Sequence, residues 1–374
     1  MARFHGIRWR PPAPRFPSPP RDGERTLPPL EFLKLPGTGP EHITIDQQGR
    51  LLTGLADGWI VRVDPADGHA ERLVSTGGRP LGMEIAPDGA LIVCDAERGL
   101  LRIESAHVQV LADVPFASCP AIDSDGTIYF SQSSRRYGLD QYLGDLLEHS
   151  GTGRVLRWRD GQVDVIADGL QFANGLLLLP GGTALAVAET AAYRITRVPL
   201  DSGRPEPLID ALPGFPDNLT AGDDGLIWIG MASTRDSTLD LLLPRPPWLR
   251  AALWSLPDRL RPGPKDIAWA LAVDRTGVVV RDLHAWDTGF HEVTAARQHS
   301  GKLYLASIAE PHLAVANLNR TAPGPAVMKW QGDGGDPEAK ICLGSAEPEE
   351  QGALCRRHSH SSTARSSLAA LAAM

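Results

Sequence analysis

Residues 41–64 read EHITIDQQGRLLTGLADGWIVRVD, in which three short apolar runs are separated by turns at Gly49 and Gly58. Valine, isoleucine, leucine and tryptophan with Asp-Gly punctuation are typical of β-strands joined by hairpins. The Asp57-Gly58 pair suits a tight hairpin, because such turns need the positive φ that these two residue types tolerate. The segment therefore predicts one unit of an antiparallel sheet.

Similar units recur along the chain. Turn glycines follow apolar runs at positions 49, 89, 126, 182, 225 and 301, mostly about 40 to 55 residues apart. That spacing fits four-stranded blades around an axis, and most simply an all-β fold with a six-bladed β-propeller. The alternative is a β-sandwich, but a sandwich would not place one polar position at the same offset in repeated units.

One such polar position stands eight residues before the turn glycine. Four units carry Glu41, Ser118, Asn174 and Asp217 there, and the other two carry Leu81 and Val293. In a propeller the inner strands line the central channel, so equivalent positions should converge at one mouth. Carboxylates beside an apolar channel need compensation, which a hard cation such as Ca²⁺ supplies to oxygen ligands. A hydrogen-bonded polar plug without metal is the alternative.

Composition excludes several functional classes. The formal net charge is −8 with no basic stripe, which disfavours nucleic-acid binding. The sequence contains no run of about 18 apolar residues, so no transmembrane helix is predicted. The basic N-terminus lacks the apolar stretch of a secretory signal. Four cysteines without a CxxC pair indicate a reducing compartment. We therefore expect a cytoplasmic protein, whose oligomeric state the sequence leaves undetermined.

The chain divides into three predicted parts. Residues 1–38 are rich in proline and arginine without apolar periodicity, and predict an extended arm. Residues 39–320 form the predicted propeller. Residues 321–374 lose the apolar alternation and predict a disordered tail, in which the HSHSS motif is interpreted as incidental.

Two irregular stretches interrupt the predicted propeller. Residues 135–149 predict a short helical loop between two strands. Residues 234–269, rich in leucine, tryptophan, proline and arginine, break the blade pattern. This insertion predicts a lid over the propeller mouth, an element packed on the side of the barrel, or a surface that touches lipid. Its prolines interrupt any long amphipathic helix, which favours the first two interpretations.

Several motifs point to a family. GPEHITID (39–46), DGTIYFSQSSRRYGLDQYLGDLLEH (125–149), FANG (172–175) and GFPDN (214–218) resemble the strictosidine-synthase-like branch of the senescence-marker-protein/gluconolactonase superfamily. The resemblance extends over about residues 39–320 in collinear order. It implies a six-bladed, calcium-dependent propeller that is similar also to paraoxonases. Members hydrolyse lactones or aryl esters or, in plants, condense an amine with an aldehyde.

The resemblance places the family's metal ligands on Glu41, Asn174 and Asp217, which would hold Ca²⁺ or another divalent cation. Three departures are visible. Ser118-Cys119 stands where relatives have Asn-Asp, and residues 131–134 read SQSS where relatives tend to read TDSS. Thr294 occupies the place of the catalytic glutamate of strictosidine synthases, so amine condensation is disfavoured.

The resemblance, with its three metal ligands intact, implies a calcium-dependent hydrolase that acts on a small lactone or carboxylic (aryl) ester. Asp217 is the predicted catalytic residue, which orients or deprotonates water. Ser118, Asn218 and Thr294 are predicted substrate-binding residues, and Asn218 also suits a bracing role. No GxSxG motif is present, which disfavours an acyl-enzyme route. The rival hypothesis is a non-catalytic propeller scaffold in which calcium is structural.

Overall fold

The computed structural model describes residues 4–257, 261 and 263–319. Six four-stranded antiparallel sheets form the blades of a β-propeller, which confirms the predicted all-β fold. The six turn glycines used to count the blades all have positive φ, between 66° and 88°. Because glycine alone adopts this conformation without a steric penalty, the sequence period marks the real strand ends.

In each of the first three blades, consecutive strands pair in chain order from the inside outward. The first blade comprises β2 (Thr44–Ile45), β3 (Leu51–Gly54), β4 (Trp59–Val63) and β5 (Ala70–Ser75). The second comprises β6 (Pro80–Ile85), β7 (Leu91–Asp95), β8 (Gly99–Glu104) and β9 (His107–Ala112). The third comprises β10 (Ala117–Ile122), β11 (Ile128–Gln132), β12 (Gly153–Arg159) and β13 (Gln162–Leu170).

The next two blades follow the same order. The fourth comprises β14 (Ala173–Leu178), β15 (Ala184–Glu189), β16 (Arg194–Pro199) and β17 (Glu206–Ile209). The fifth comprises β18 (Gly214–Ala221), β19 (Ile227–Thr234), β20 (Ile267–Val273) and β21 (Val279–Trp286). Apolar side chains pack between neighbouring blades, as Val155 of the third does with Val187 of the fourth.

The sixth blade joins the two ends of the repeat. Three of its strands are β22 (Val293–His299), β23 (Lys302–Ser307) and β24 (His312–Asn317). Its outer strand is β1 (Leu30–Lys34), which pairs antiparallel with β24. The structure thus places the start of the propeller at Leu30, whereas the sequence analysis included these residues in the arm. A lone strand at the start of the chain shows no repeat of its own, and its pairing closes the ring.

The described residues include three α-helices outside the blades. A 3₁₀ turn (Leu139–Gln141) and α1 (Tyr142–Glu148) follow β11, which confirms the predicted helical loop. Between β19 and β20 lie α2 (Ser237–Leu242) and α3 (Pro247–Trp254). Another 3₁₀ turn (Thr190–Ala192) follows β15. Residues 4–29 hold no helix or strand, and the predicted tail 321–374 lies outside the described residues.

Candidate functional site

The predicted site residues lie in a bulge that recurs in the inner strands. The strand register shifts by one residue between Ala117 and Pro120 in β10, and the same shift occurs in β6, β14, β18 and β22. A bulge re-aims side chains and increases the local twist. The residues inside the shifts include Leu81, Ser118, Asn174, Asp217 and Thr294.

Together with Glu41, which precedes β2, these residues line one end of the central channel. All six contribute to the same cavity of about 400 Å³. We call these six residues the ring. In the sixth blade the ring residue is Thr294 and not Val293, which is buried in the core between blades. The eight-residue spacing is therefore one residue out in that blade.

The close approach of the inner strands depends on small residues in the bulges. A Cβ atom added to Gly175 would lie 2.5 Å from the Cα of Asn218 and 2.6 Å from the carbonyl oxygen of Asp217. No side chain fits there without displacing backbone. The glycine after Asn174 therefore allows β14 and β18 to carry their ring residues side by side.

Glu41 is buried and is held in place by the fifth and sixth blades. The Asn218 Nδ2 atom donates to Glu41 Oε1 at 2.8 Å, and the Thr294 Oγ1 atom donates to the Glu41 carbonyl oxygen at 2.6 Å. Asn218 is buried and is not among the cavity-lining residues. Its position supports the bracing role and not direct substrate contact.

Asn174 is oriented from both sides. Its carboxamide oxygen accepts a hydrogen bond from Ser118 Oγ at 2.9 Å, and its Nδ2 atom donates to Thr190 Oγ1 at 3.3 Å. Thr190 in turn donates to the carbonyl oxygen of Pro216 at 2.7 Å. These contacts point the Asn174 amide nitrogen away from Ser118, so its oxygen faces the ring.

Two carboxylate oxygens in the ring have no partner. Glu41 Oε2 and Asp217 Oδ1 are buried and accept no hydrogen bond from any described residue. Burial raises the pKa of Glu41 to about 7, although the Asn218 hydrogen bond and the charge of Arg79 oppose this. Burial, followed by the like charge of Glu41, raises the pKa of Asp217 well above its usual range. Positive charge is therefore what this site lacks.

The donor set fits a hard cation. Glu41 and Asp217 offer carboxylate oxygens and Asn174 offers a carboxamide oxygen, which are ligand types that Ca²⁺ accepts. Within the described part of the chain, no three His, Cys, Asp or Glu side chains cluster closely enough to hold a metal by themselves. A cation here would thus depend on Asn174 as well as on the two unpartnered carboxylates.

The departures from the family pattern have different structural consequences. Ser118 faces the cavity, whereas Cys119 is buried between blades and its Sγ atom lies 3.8 Å from the Leu176 carbonyl oxygen. Gln132 donates to the Pro115 carbonyl oxygen at 2.6 Å and accepts from Arg154 Nε at 2.6 Å. Neither Cys119 nor Gln132 lines the cavity, so the departures within the ring itself are Ser118 and Thr294.

Sequence reasoning missed Glu292, which also lines the cavity. Its φ of 49° is left-handed, and burial raises the pKa of its carboxyl group. It also missed Thr190, which orients Asn174. Neither residue stands at a constant distance from a turn glycine, so the repeat gave no signal for them.

The walls of the cavity are mainly apolar, and many of their side chains belong to the helices. We call α1, α2 and α3 the lid. Their inward side chains pack together and against the arm, and they line the cavity above the ring. Representative wall residues are Phe116, Leu146, Phe172, Phe215, Leu239 and Trp254. This arrangement agrees with the predicted lid and not with packing on the barrel side.

The chain is similar in sequence to strictosidine synthase-like proteins. Residues 120–201 match the family model described as Strictosidine synthase, and residues 25–63 match the N-terminal model of strictosidine synthase-like proteins. Strictosidine synthase-like protein 6 of Arabidopsis thaliana is 32% identical over 319 residues, which cover 80% of this chain and 85% of the relative. Adipocyte plasma membrane-associated protein of Salmo salar is 32% identical over 322 residues, covering 75% and 76%.

Solved structures share the fold. A gluconolactonase from Xanthomonas campestris superposes with a TM-score of 0.56 at 17% identity, covering 83% of this chain and 99% of its own. Regucalcin from Agrobacterium tumefaciens, described as a calcium-binding protein, gives a TM-score of 0.56 at 14% identity, covering 78% and 95%. At these identities the likeness establishes the propeller alone. In the described residues, no helix is long and apolar enough to cross a membrane.

Proposed function

This chain belongs to the strictosidine-synthase-like branch of the senescence-marker-protein/gluconolactonase superfamily, and from this premise we propose that it is a metal-dependent hydrolase of lactones or carboxylic esters. One observation carries the proposal. The ring buries two carboxylate oxygens, Glu41 Oε2 and Asp217 Oδ1, without a partner at the base of an apolar cavity. Burying carboxylate oxygens without a partner costs free energy, and perturbed buried carboxylates in a cavity are typical of functional sites.

A calcium ion held by Glu41, Asn174 and Asp217 would supply the positive charge that favours both ionised carboxylates and polarises a substrate carbonyl. Ca²⁺ is the cofactor we propose, and another divalent cation with the same preference for oxygen would suit the same donors.

Asp217 is the proposed catalytic residue. Asp217 lines the cavity, where its carboxylate can orient a water molecule and accept its proton as the water oxygen attacks the carbonyl carbon. The same proton can then pass to the alkoxide that leaves when the ester bond breaks. Thr294 and Ser118 line the cavity and are proposed to contact substrate. The hydroxyl protons of both already serve Glu41 and Asn174, so they would accept rather than donate hydrogen bonds.

The cavity wall indicates which substrates to test first. Apolar side chains cover the space above the ring, and a polyhydroxylated lactone would lose hydrogen bonds to water there. Aryl esters and lactones with an apolar substituent can bury that group against Phe172 and Phe215. Turnover of this panel by the purified chain, measured with added Ca²⁺ and with a chelator, tests the proposal. Metal-independent turnover would overturn it.

A second candidate function has its own observation. Ser118 replaces a stronger potential ligand and its hydroxyl occupies one lone pair of the Asn174 oxygen. This favours a scaffold in which a cation stabilises the ring without catalysis. Calcium-linked melting with no turnover across the panel would support the scaffold. Calcium-dependent turnover that is lost in Asp217→Asn would exclude it.

A further inference from the structure

The outward side of the lid carries large apolar side chains in solvent. Trp248 of α3 is 67% exposed, Leu241 of α2 is 59% exposed, and Ile7 of the arm is 52% exposed. We call these three residues the lid face. Large exposed apolar groups that gather in one region mark an interaction site more often than scattered ones do.

Hydrogen bonds join the segments that carry these three residues. Arg250 of α3, two residues after Trp248, donates from Nη2 to the Ile7 carbonyl oxygen at 2.7 Å. The Trp9 amide donates to the Leu243 carbonyl oxygen at the end of α2, at 3.1 Å. The arm is therefore fastened to both helices.

Each helix of the insertion has two apolar sides. In α2, Leu239 lines the cavity while Leu241 faces solvent. In α3, Trp254 lines the cavity and Arg250 is buried, while Trp248 faces solvent. The inward side explains how the helices pack on the propeller. The outward side has no such explanation within the described residues.

Positive charge accompanies the lid face. Arg8, Arg10 and Arg245 are exposed, and none of them forms an ion pair with a described residue. The nearby acids are engaged elsewhere. Asp236 caps α2 by accepting from the Leu239 amide at 2.9 Å, and Asp240 accepts from the Tyr193 hydroxyl at 2.8 Å. The chain as a whole has a net charge of −8, so the exposed arginines near the lid face are a local excess of positive charge.

We propose that the lid face docks on an anionic lipid surface. Trp248, Leu241 and Ile7 would enter the headgroup region, where an amphipathic indole is favoured, and Arg8, Arg10 and Arg245 would contact the lipid phosphates. The short helices interrupted by proline suffice, because the contact needs three side chains and not a long amphipathic helix. The local arginines favour an anionic lipid surface over a symmetric contact between two copies of the lid face, because that contact would bring the arginines of both copies together. Docking is independent of the proposed hydrolysis.

The test is sedimentation of the full chain with vesicles of phosphatidylcholine alone or mixed with phosphatidylglycerol. We expect binding to the mixed vesicles that weakens with salt, and little binding to phosphatidylcholine alone. The double variant Leu241→Ser/Trp248→Ser should lower the partition coefficient by about tenfold or more. Val165→Ser is the matched apolar control, since Val165 is 51% exposed on the outer strand β13, and it should bind as wild type.

The charge contribution has its own pair of variants. Arg245→Gln should weaken binding to mixed vesicles and reduce its salt dependence, whereas Arg275→Gln, in an exposed turn of the fifth blade, should not. Equal melting temperatures establish that each variant folds. Failure of wild type to bind mixed vesicles, or equal effects of the lid and control variants, overturns the proposal. A dimer that Leu241→Ser/Trp248→Ser dissociates would also overturn it and would assign the lid face to self-association.

Discussion

The two ends of the central channel balance their buried carboxylates to different degrees. At the ring, Glu41 and Asp217 are like charges, and each lacks an ion pair with any described Lys or Arg. Further along the same inner strands lies a smaller cavity of about 210 Å³, which Glu84 and Arg297 line together with His42. There the charge of Arg297 lowers the pKa of Glu84 against the larger effect of burial.

The difference shows where the chain has left a charge for something else to balance. At the smaller cavity the protein supplies the cation, and it keeps the neighbouring histidine neutral, since burial and then Arg297 lower the pKa of His42 to about 3. At the ring the charge of Arg79 lowers the pKa of Glu41, but two carboxylates share the site, and the charge of Glu41 adds to burial in raising the pKa of Asp217. The same inner strands line both cavities, so the fold alone does not explain why the charges are less balanced at the ring than at the smaller cavity.

The largest expected difference between the two ends of the channel concerns turnover after a carboxylate is replaced. Asp217→Asn keeps the size of the side chain but removes the oxygen that can accept a proton, so kcat/KM for a lactone or ester substrate should fall by about 10²- to 10⁴-fold. Glu84→Gln is the matched change at the smaller cavity and should leave turnover unchanged. Steady-state kinetics with both folded variants gives the answer. Comparable losses in the two variants would contradict a special role for the ring.

Metal-linked stability is the next largest effect. A cation at a hundredfold excess over its Kd stabilises the folded state by about 2.7 kcal/mol, and chelation should remove that increment. Glu41→Gln should abolish the difference, because the amide retains the Asn218 hydrogen bond through its oxygen but carries no charge. Glu84→Gln should preserve it. Melting curves with Ca²⁺ and with chelator measure the increment, and a calcium shift that survives in Glu41→Gln would place the cation elsewhere.

Without metal, the ring should make stability fall as pH rises. The folded pKa of Glu41, about 7, exceeds its ordinary value of 4.5 because of burial. Its contribution is therefore complete below about pH 4.5 and is lost as pH rises through about 7, and it is on the order of 3 kcal/mol. Urea unfolding in chelator at several pH values, wild type minus Glu41→Gln, isolates this contribution. A difference that is flat or rises with pH would show that Glu41 is ionised without a cation.

Much of the fold could be predicted from the sequence, because the repeat imposes the same turn chemistry six times. The period of the turn glycines predicted the number of blades. The position eight residues before each turn glycine predicted five of the six ring residues. It failed at Val293, since only two residues, Ser300 and Gly301, join β22 to β23, whereas five residues join β10 to β11. It also missed β1, a strand whose partner β24 lies almost the whole chain away.

The lid was predictable only in outline. The broken pattern in residues 234–269 showed that something leaves the blade, but which side of α2 or α3 faces inward depends on contacts with the arm and with α1. Glu292 and Thr190 likewise enter the site through tertiary packing. Residues outside the repeat do not stand at a constant distance from a turn glycine. The sequence therefore did not predict which side chains line the walls of the cavity.

The smallest expected effect concerns the ring position that departs from the family pattern. Ser118→Ala removes the donor to the Asn174 oxygen and should cost about 1 kcal/mol of stability. Ser133→Ala is the matched control, because the Ser133 hydroxyl also lines the cavity but has no partner, and its loss should cost nothing. Chemical denaturation in chelator compares the two. If both variants lose the same stability, the Ser118 hydrogen bond does not hold Asn174, and the orientation of its oxygen must depend on Thr190 alone. Ser118→Asn then sharpens the comparison, since a carboxamide oxygen returned to this position should raise calcium affinity only if the ring binds the ion.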